Sequence, residues 1–170
     1  LAHSGTVARV DDIRPTKWMK LVSNSTVLVT TAILGAPMLD AISVPGMREL
    51  MIRAGQEALD TGRALGYPIL PIFGLLPAEV EKPETVVETL LDKLYAGFVL
   101  PGATTTVLQD WTKGRHSEVD DLNGEVVRSG ARVGVATPVN SAIVEVAHRI
   151  ERGELAPGPD SIAVLQGLIS

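Results

Sequence analysis

The chain has 170 residues, 45% of them hydrophobic and 21% charged, which suits one folded domain, or one and a small piece, with a core of its own and excludes a disordered segment. Fifteen Lys and Arg against 20 Asp and Glu leave a net charge of −5, which argues against a nucleic-acid-binding surface. There is no cysteine, so disulfides, thiolate zinc sites and cysteine nucleophiles are excluded, and no apolar run nears the ~20 residues of a membrane span.

No basic segment precedes an apolar one at the N-terminus, so a signal peptide is not expected and an intracellular protein is. The first residue is Leu1, which leaves open that further residues precede it. Gly5 followed by Thr6, Val7, Ala8, Arg9 and Val10 reads as a turn and a short strand, broken by Asp11, Asp12 and Pro15. From Lys17 to Leu34 the chain is mostly apolar. Val27, Val29, Thr30, Thr31 and Ile33 favour a strand locally, but the run is too long for one and stops only at Gly35 and Pro37, so a buried helix is expected. Ser43 reads as an N-cap with Pro45 near the first turn. Met47, Leu50, Met51, Ala54, Ala58 and Leu65 then keep helical spacing, Glu49 and Arg53 stand in the favourable order for a pair, and Gly66 and Pro68 end the helix. Residues 67–78, with Pro68, Pro71 and Pro77, read as an extended connection. A helix follows Pro83 with Val87, Leu90, Leu91 and Leu94 on one face, and a short one spans Thr104 to Trp111. A helix from Ser117 to Val133 ends at Gly134, and Thr137 and Pro138 open another that Gly153 closes. Residues 157–170 read as a tail. Six helices and at most one strand make the fold class mainly α.

Several chemistries are missing. No two glycines are two residues apart, so there is no G-x-G-x-x-G; a P-loop and a G-x-S-x-G elbow are also absent. His3, His116 and His148 are scattered. His116 with Glu118 and Asp120 offers ligands for a metal, but an acidic, solvated helix start accounts for the same residues. Lys20 and Asn24 are four apart and share a helical face amid Leu21, Val22, Val27 and Leu28. Such a lysine is either a snorkelling boundary residue or a functional ammonium. In the run from Thr106 to Gly124, helix capping explains Ser117, Asp120 and Asp121 and a turn explains Gly114, but the whole pattern exceeds both.

That run resembles the C-terminal signature of the ketopantoate reductases, roughly S-M-x-x-D-x-x-x-G-R-x-T-E-I-D-x-L-N-G, which Asp110, Gly114, Arg115, Glu118, Asp120, Asn123 and Gly124 match. Lys17-Trp18-Met19-Lys20-Leu21-Val22-Ser23-Asn24 resembles the family's K-W-x-K-L-x-x-N, and Gly134 to Asn140 its G-x-x-T-P-x-N. The three segments stand in the family's order and cover residues 12–151.

The resemblance implies an all-helical substrate-binding domain over residues 14–170, similar to the C-terminal domain of 6-phosphogluconate dehydrogenases, with residues 1–13 as the end of an N-terminal Rossmann domain that holds NADPH. It implies NADPH-dependent reduction of a 2-keto acid, ketopantoate or a related one, in the cytoplasm, by a full-length enzyme of which this chain alone is inactive. Lys20 matches the catalytic lysine and Glu118 the catalytic glutamate; Asn24 and Thr106 match substrate-binding positions, Thr106 standing where the family usually has serine. The partners implied are the keto acid and the N-terminal domain, with a homodimer left open; no nucleic acid, membrane or metal is expected. Leu28 and Met38 depart from the pattern, replacing two asparagines. They leave a second reading, a helical interaction or dimerisation module on the same scaffold without catalysis.

Overall fold

The structure, a computed structural model, describes residues 10–169. Among them nine helices and no strand are found. The strand expected around residues 6–10 lies almost wholly outside the described residues. Helix α1 (Arg14–Leu34) runs through the middle of the molecule. Its 21 residues span about 31 Å. Pro15 fits the first turn, where its missing N–H is not needed, and Gly35 ends the helix in the left-handed region at φ 73°. The β-branched stretch stays helical because its hydroxyls bond back to the previous turn: Thr26 donates to the Val22 carbonyl at 2.6 Å and Thr31 to Val27 at 2.7 Å. Ile33, Val29 and Val22 are fully buried.

Helix α3 (Met47–Ala64) packs along α1. Two glycines make this approach possible: a Cβ on Gly55 would strike Thr26 and Val87, and one on Gly62 would strike the Trp18 indole. Trp18 then donates from Nε1 to the Ala58 carbonyl at 2.9 Å. The N-terminal half of α1 thereby joins one apolar cluster with α3 and α5 (Pro83–Gly97), through Met51, Leu59, Leu90 and Leu91. Its C-terminal half joins a second, with α6 (Thr106–Thr112), α8 (Pro138–Glu151) and α9 (Pro159–Leu168), through Ile33, Val107, Ile143 and Leu165.

Five local expectations are corrected. Ser43 does not open α3. It closes a short α2 (Met38–Ile42), its hydroxyl donating to the Leu39 carbonyl, and Gly46 at φ 83° precedes α3. No Glu49–Arg53 ion pair forms; Arg48 instead reaches Glu88 and Asp92 on α5. The connection at residues 67–78 is irregular up to Leu76, with a turn at Phe73 and Gly74, after which α4 (Pro77–Val80) makes one turn of helix. The tail is not irregular: α9 buries Ile162 and Leu165 against α1 and α8, and so adds apolar surface to the core. The seventh helix, α7 (Asn123–Val133), starts six residues later than Ser117, because residues 119–122 form a turn.

Candidate functional site

Helix α1 is buried on nearly every side. One stripe stays open: Arg14, Lys17 and Lys20 are exposed, and Leu21, Asn24 and Leu28 are half-buried. Their spacing of three and four residues places them on one face. The Lys20–Asn24 segment of this stripe lines a cleft of about 400 Å³. Facing it are Tyr67 after α3, Asp121 in the turn before α7, and Glu125 and Arg132 on α7. The cleft therefore carries four cations, Arg14, Lys17, Lys20 and Arg132, and two carboxylates, Asp121 and Glu125. Some of this charge is already matched. Arg14 is held by Asp12, and Arg132 bonds Glu125 at 3.2 Å. Burial opposes the charge on Glu125, but bonds from Ser129 and Arg128 and the nearby guanidinium charges prevail and hold its carboxyl below the ordinary range. The side chains of Lys17 and Lys20 make no ion pair or hydrogen bond among the described residues, so two ammonium groups face the cleft unmatched. A small anionic molecule suits such a surface.

Thr106 and Glu118 meet next to the turn that carries Asp121. Thr105 caps α6 by accepting from the Leu108 N–H at 3.2 Å, which leaves the next hydroxyl, that of Thr106, free to turn outward. It donates to the Glu118 carboxylate at 3.5 Å. The Glu118 carbonyl accepts from the N–H groups of Asp121 and Leu122, both at 3.0 Å, and so shapes the turn. Of the four sequence-predicted residues, Lys20 and Asn24 line the cleft, and Thr106 and Glu118 bond each other outside its lining. The structure does not join Lys20 to Glu118 by an ion pair. The carboxylate that this turn presents to the Lys20 cleft is that of Asp121.

What anchors the turn against α1 is a buried amide relay. Asn123, fully buried, donates to the Ser25 carbonyl at 3.0 Å, next to Asn24, and to the Asn140 side chain at 2.8 Å. Asn140, also fully buried, donates to the Ala54 carbonyl and, at 2.7 Å, to Glu57. The Glu57 carboxylate in turn accepts from the N–H groups of Val139 and Asn140, and so caps α8. That is the cap expected of Thr137, whose side chain makes no such bond. Asn123 and Asn140, both motif residues, therefore position the site by tying α1, α3, α7 and α8 together. Sequence spacing reveals nothing of Glu57, which acts across 82 residues. Arg132 carries one legible signal, standing seven residues after Glu125 on the same helical face.

Ser117 and His116 serve a different place. The Glu151 carboxylate, at the end of α8, accepts from the Ser117 N–H at 2.8 Å and hydroxyl at 2.7 Å, from Trp111 Nε1 at 3.1 Å, and bonds His116 at 3.1 Å. Burial works against its charge, but these bonds outweigh it and bring its carboxyl down to about 2. Ser117 is thus a donor to Glu151 and not a helix cap. Asp120 pairs with His148 at 3.0 Å, so His116 and Asp120 turn to separate partners, and among the described residues no three metal-ligating side chains converge.

The family model for the C-terminal part of ketopantoate reductases (PanE/ApbA) matches residues 12–151. The chain belongs to the ketopantoate reductase family. It is 34% identical over 139 residues to a 2-dehydropantoate 2-reductase of Pyrobaculum aerophilum, covering 82% of this chain and 44% of that protein. It is 29% identical to one of Caulobacter vibrioides, covering 79% and 41%. The fold resembles that of a ketopantoate reductase from Ralstonia eutropha JMP134, with a TM-score of 0.70 at 23% identity over 85% of this chain and 43% of that one. A dimeric ketopantoate reductase from Staphylococcus aureus aligns with a TM-score of 0.65 at 18% identity, over 86% and 46%. The chain therefore spans less than half the length of the relatives it matches, and it corresponds to their mainly helical C-terminal domain.

Proposed function

We propose that the protein carrying this chain reduces a 2-keto acid, ketopantoate or a relative, to the 2-hydroxy acid, and that this chain binds the acid and supplies the proton. The observation that carries the reading is the open stripe of α1: Lys20 and Asn24 lie one turn apart in a cleft with unmatched ammonium groups. The relatives' names, 2-dehydropantoate 2-reductase, agree with it.

Reduction adds a hydride at the carbonyl carbon and a proton at its oxygen. NADPH is the hydride source in this proposal, but the residues described here do not fit it: they include no strand, hence no βαβ turn to cradle a pyrophosphate. The reading places NADPH on a Rossmann domain that ends at residues 1–13, leaves residues 14–170 as the substrate domain, and goes with a cytoplasmic enzyme that forms dimers.

Lys20 and its neighbours account for the other half of the chemistry. An ammonium at Lys20 donates a hydrogen bond to the ketone oxygen, stabilises the negative charge that develops there, and passes on the proton. Lys17, one turn earlier, offers charge to the substrate carboxylate. Asn24 holds the acid by hydrogen bonding. Thr106 donates its hydroxyl to the substrate, and Glu118 orients the Lys20 ammonium once the cleft is filled. The test is Lys20→Ala in the full-length protein, which lowers kcat by ~10²–10⁴. Turnover that Lys20→Ala leaves unchanged refutes the role of Lys20, and no turnover of any 2-keto acid by the parent protein leaves the interaction-module reading in its place.

A further inference from the structure

Asn24 borders two hollows. One is the cationic cleft. The other, on the far side of the same residue, is a groove of about 200 Å³. Ser23 and Asn24 are its only polar side chains; the rest of its wall is hydrocarbon or thioether, with Leu28, Met38, Phe73 and Phe98 the parts open to a ligand. Leu28 continues the open stripe of α1 one turn beyond Asn24, so the groove and the cleft form one track along the helix. Two features mark the groove as shaped. Phe73 holds φ 49°, a left-handed conformation that is strained for a bulky residue. In that conformation its ring meets Phe98 edge-on, with centroids 5.5 Å apart. Phe98 is 61% exposed, although it is a large apolar residue beside an apolar hollow.

We infer that this groove takes the substituent of the keto acid, and that the substituent is a pure hydrocarbon, so the preferred substrate is an alkyl or aryl 2-keto acid without a hydroxyl group. The inference rests on the reading of the Lys20 cleft given above and adds the substrate class. With the carboxylate toward Lys17 and the ketone at Lys20, the substituent runs past Asn24 to Leu28 and Met38. A hydroxyl carried there meets two apolar side chains and loses its water without a partner, which is unfavourable. A methyl group in the same place gains contact.

The probe pair is ketopantoate and 3,3-dimethyl-2-oxobutanoate, which differ only by that hydroxyl, with 4-methyl-2-oxopentanoate and phenylpyruvate to separate alkyl from aryl. The full-length protein is assayed by oxidation of NADPH. The expected result is a kcat/KM about tenfold or more higher for the hydrocarbon acids than for ketopantoate. Leu28→Asn with Met38→Asn moves the ratio about tenfold toward ketopantoate. Phe98→Ala, at an exposed position that leaves the fold intact, lowers kcat/KM for 4-methyl-2-oxopentanoate about fivefold. A preference for ketopantoate that neither substitution moves, with turnover still abolished in Lys20→Ala, overturns the groove assignment and leaves the cleft reading standing. Turnover that survives Lys20→Ala, or no turnover of any of the four acids, overturns both.

Discussion

Glu151→Gln isolates the most polarised group in the molecule. The carboxylate accepts four hydrogen bonds, two from Ser117 and one each from Trp111 and His116, and only 9% of its side chain meets solvent. Glutamine keeps the shape, but its amide N–H₂ points donors at donors. A carboxyl that falls from an ordinary 4.5 to about 2 corresponds to ~3 kcal/mol at ~1.4 kcal/mol per pH unit. Allowing for the open His116 side, 88% exposed, about 2–3 kcal/mol of folding stability is at stake. The sign follows from the direction. The folded value lies below the unfolded one, so the contribution is complete above pH 4.5 and is lost as the pH falls toward 2. At pH 3 more than half of it has gone. Urea unfolding followed by circular dichroism should place Glu151→Gln about 2–3 kcal/mol below the parent at pH 7, with the gap shrinking by more than half at pH 3. Equal stabilities at pH 7, or a gap that stays constant down to pH 3, would refute the charge-based account of this site.

Three further outcomes follow from the same geometry. Ile33→Ala, at a fully buried position of α1, costs about 2–4 kcal/mol in denaturant unfolding. Asn140→Ala removes the bonds to the Asn123 amide, the Ala54 carbonyl and the Glu57 carboxylate, costing about 2–3 kcal/mol by the same assay. The 170-residue chain alone shows no calorimetric binding of NADPH at micromolar concentration, since its sequence holds no G-x-G-x-x-G and its described residues no strand-to-helix turn to cradle a pyrophosphate.

The sequence by itself determined the helices that bury a continuous face and the residues that share a turn. α1, α3, α5 and α8 are legible because their apolar spacing and their Gly and Pro stops act within a few residues. Lys20 and Asn24 fall on one face for the same local reason. The motif segments led to the family without any coordinates. α9 was hidden because Gly158 and Gly167 dilute its pattern, although Pro159 at its first turn and Ile162 with Leu165 three apart were present. Only the tertiary structure decided where Ser117 goes. A serine followed by acidic residues satisfies the local rule for a helix cap, yet Glu151, 34 residues on, offers a shielded charge as acceptor and draws Ser117 away from the helix. The same holds for Glu57 capping α8, for Thr106 meeting Glu118, and for the groove that joins Phe73 and Phe98 to Leu28. Each depends on which helix faces lie against one another. Packing of the whole core settles that, and no short stretch of sequence carries it.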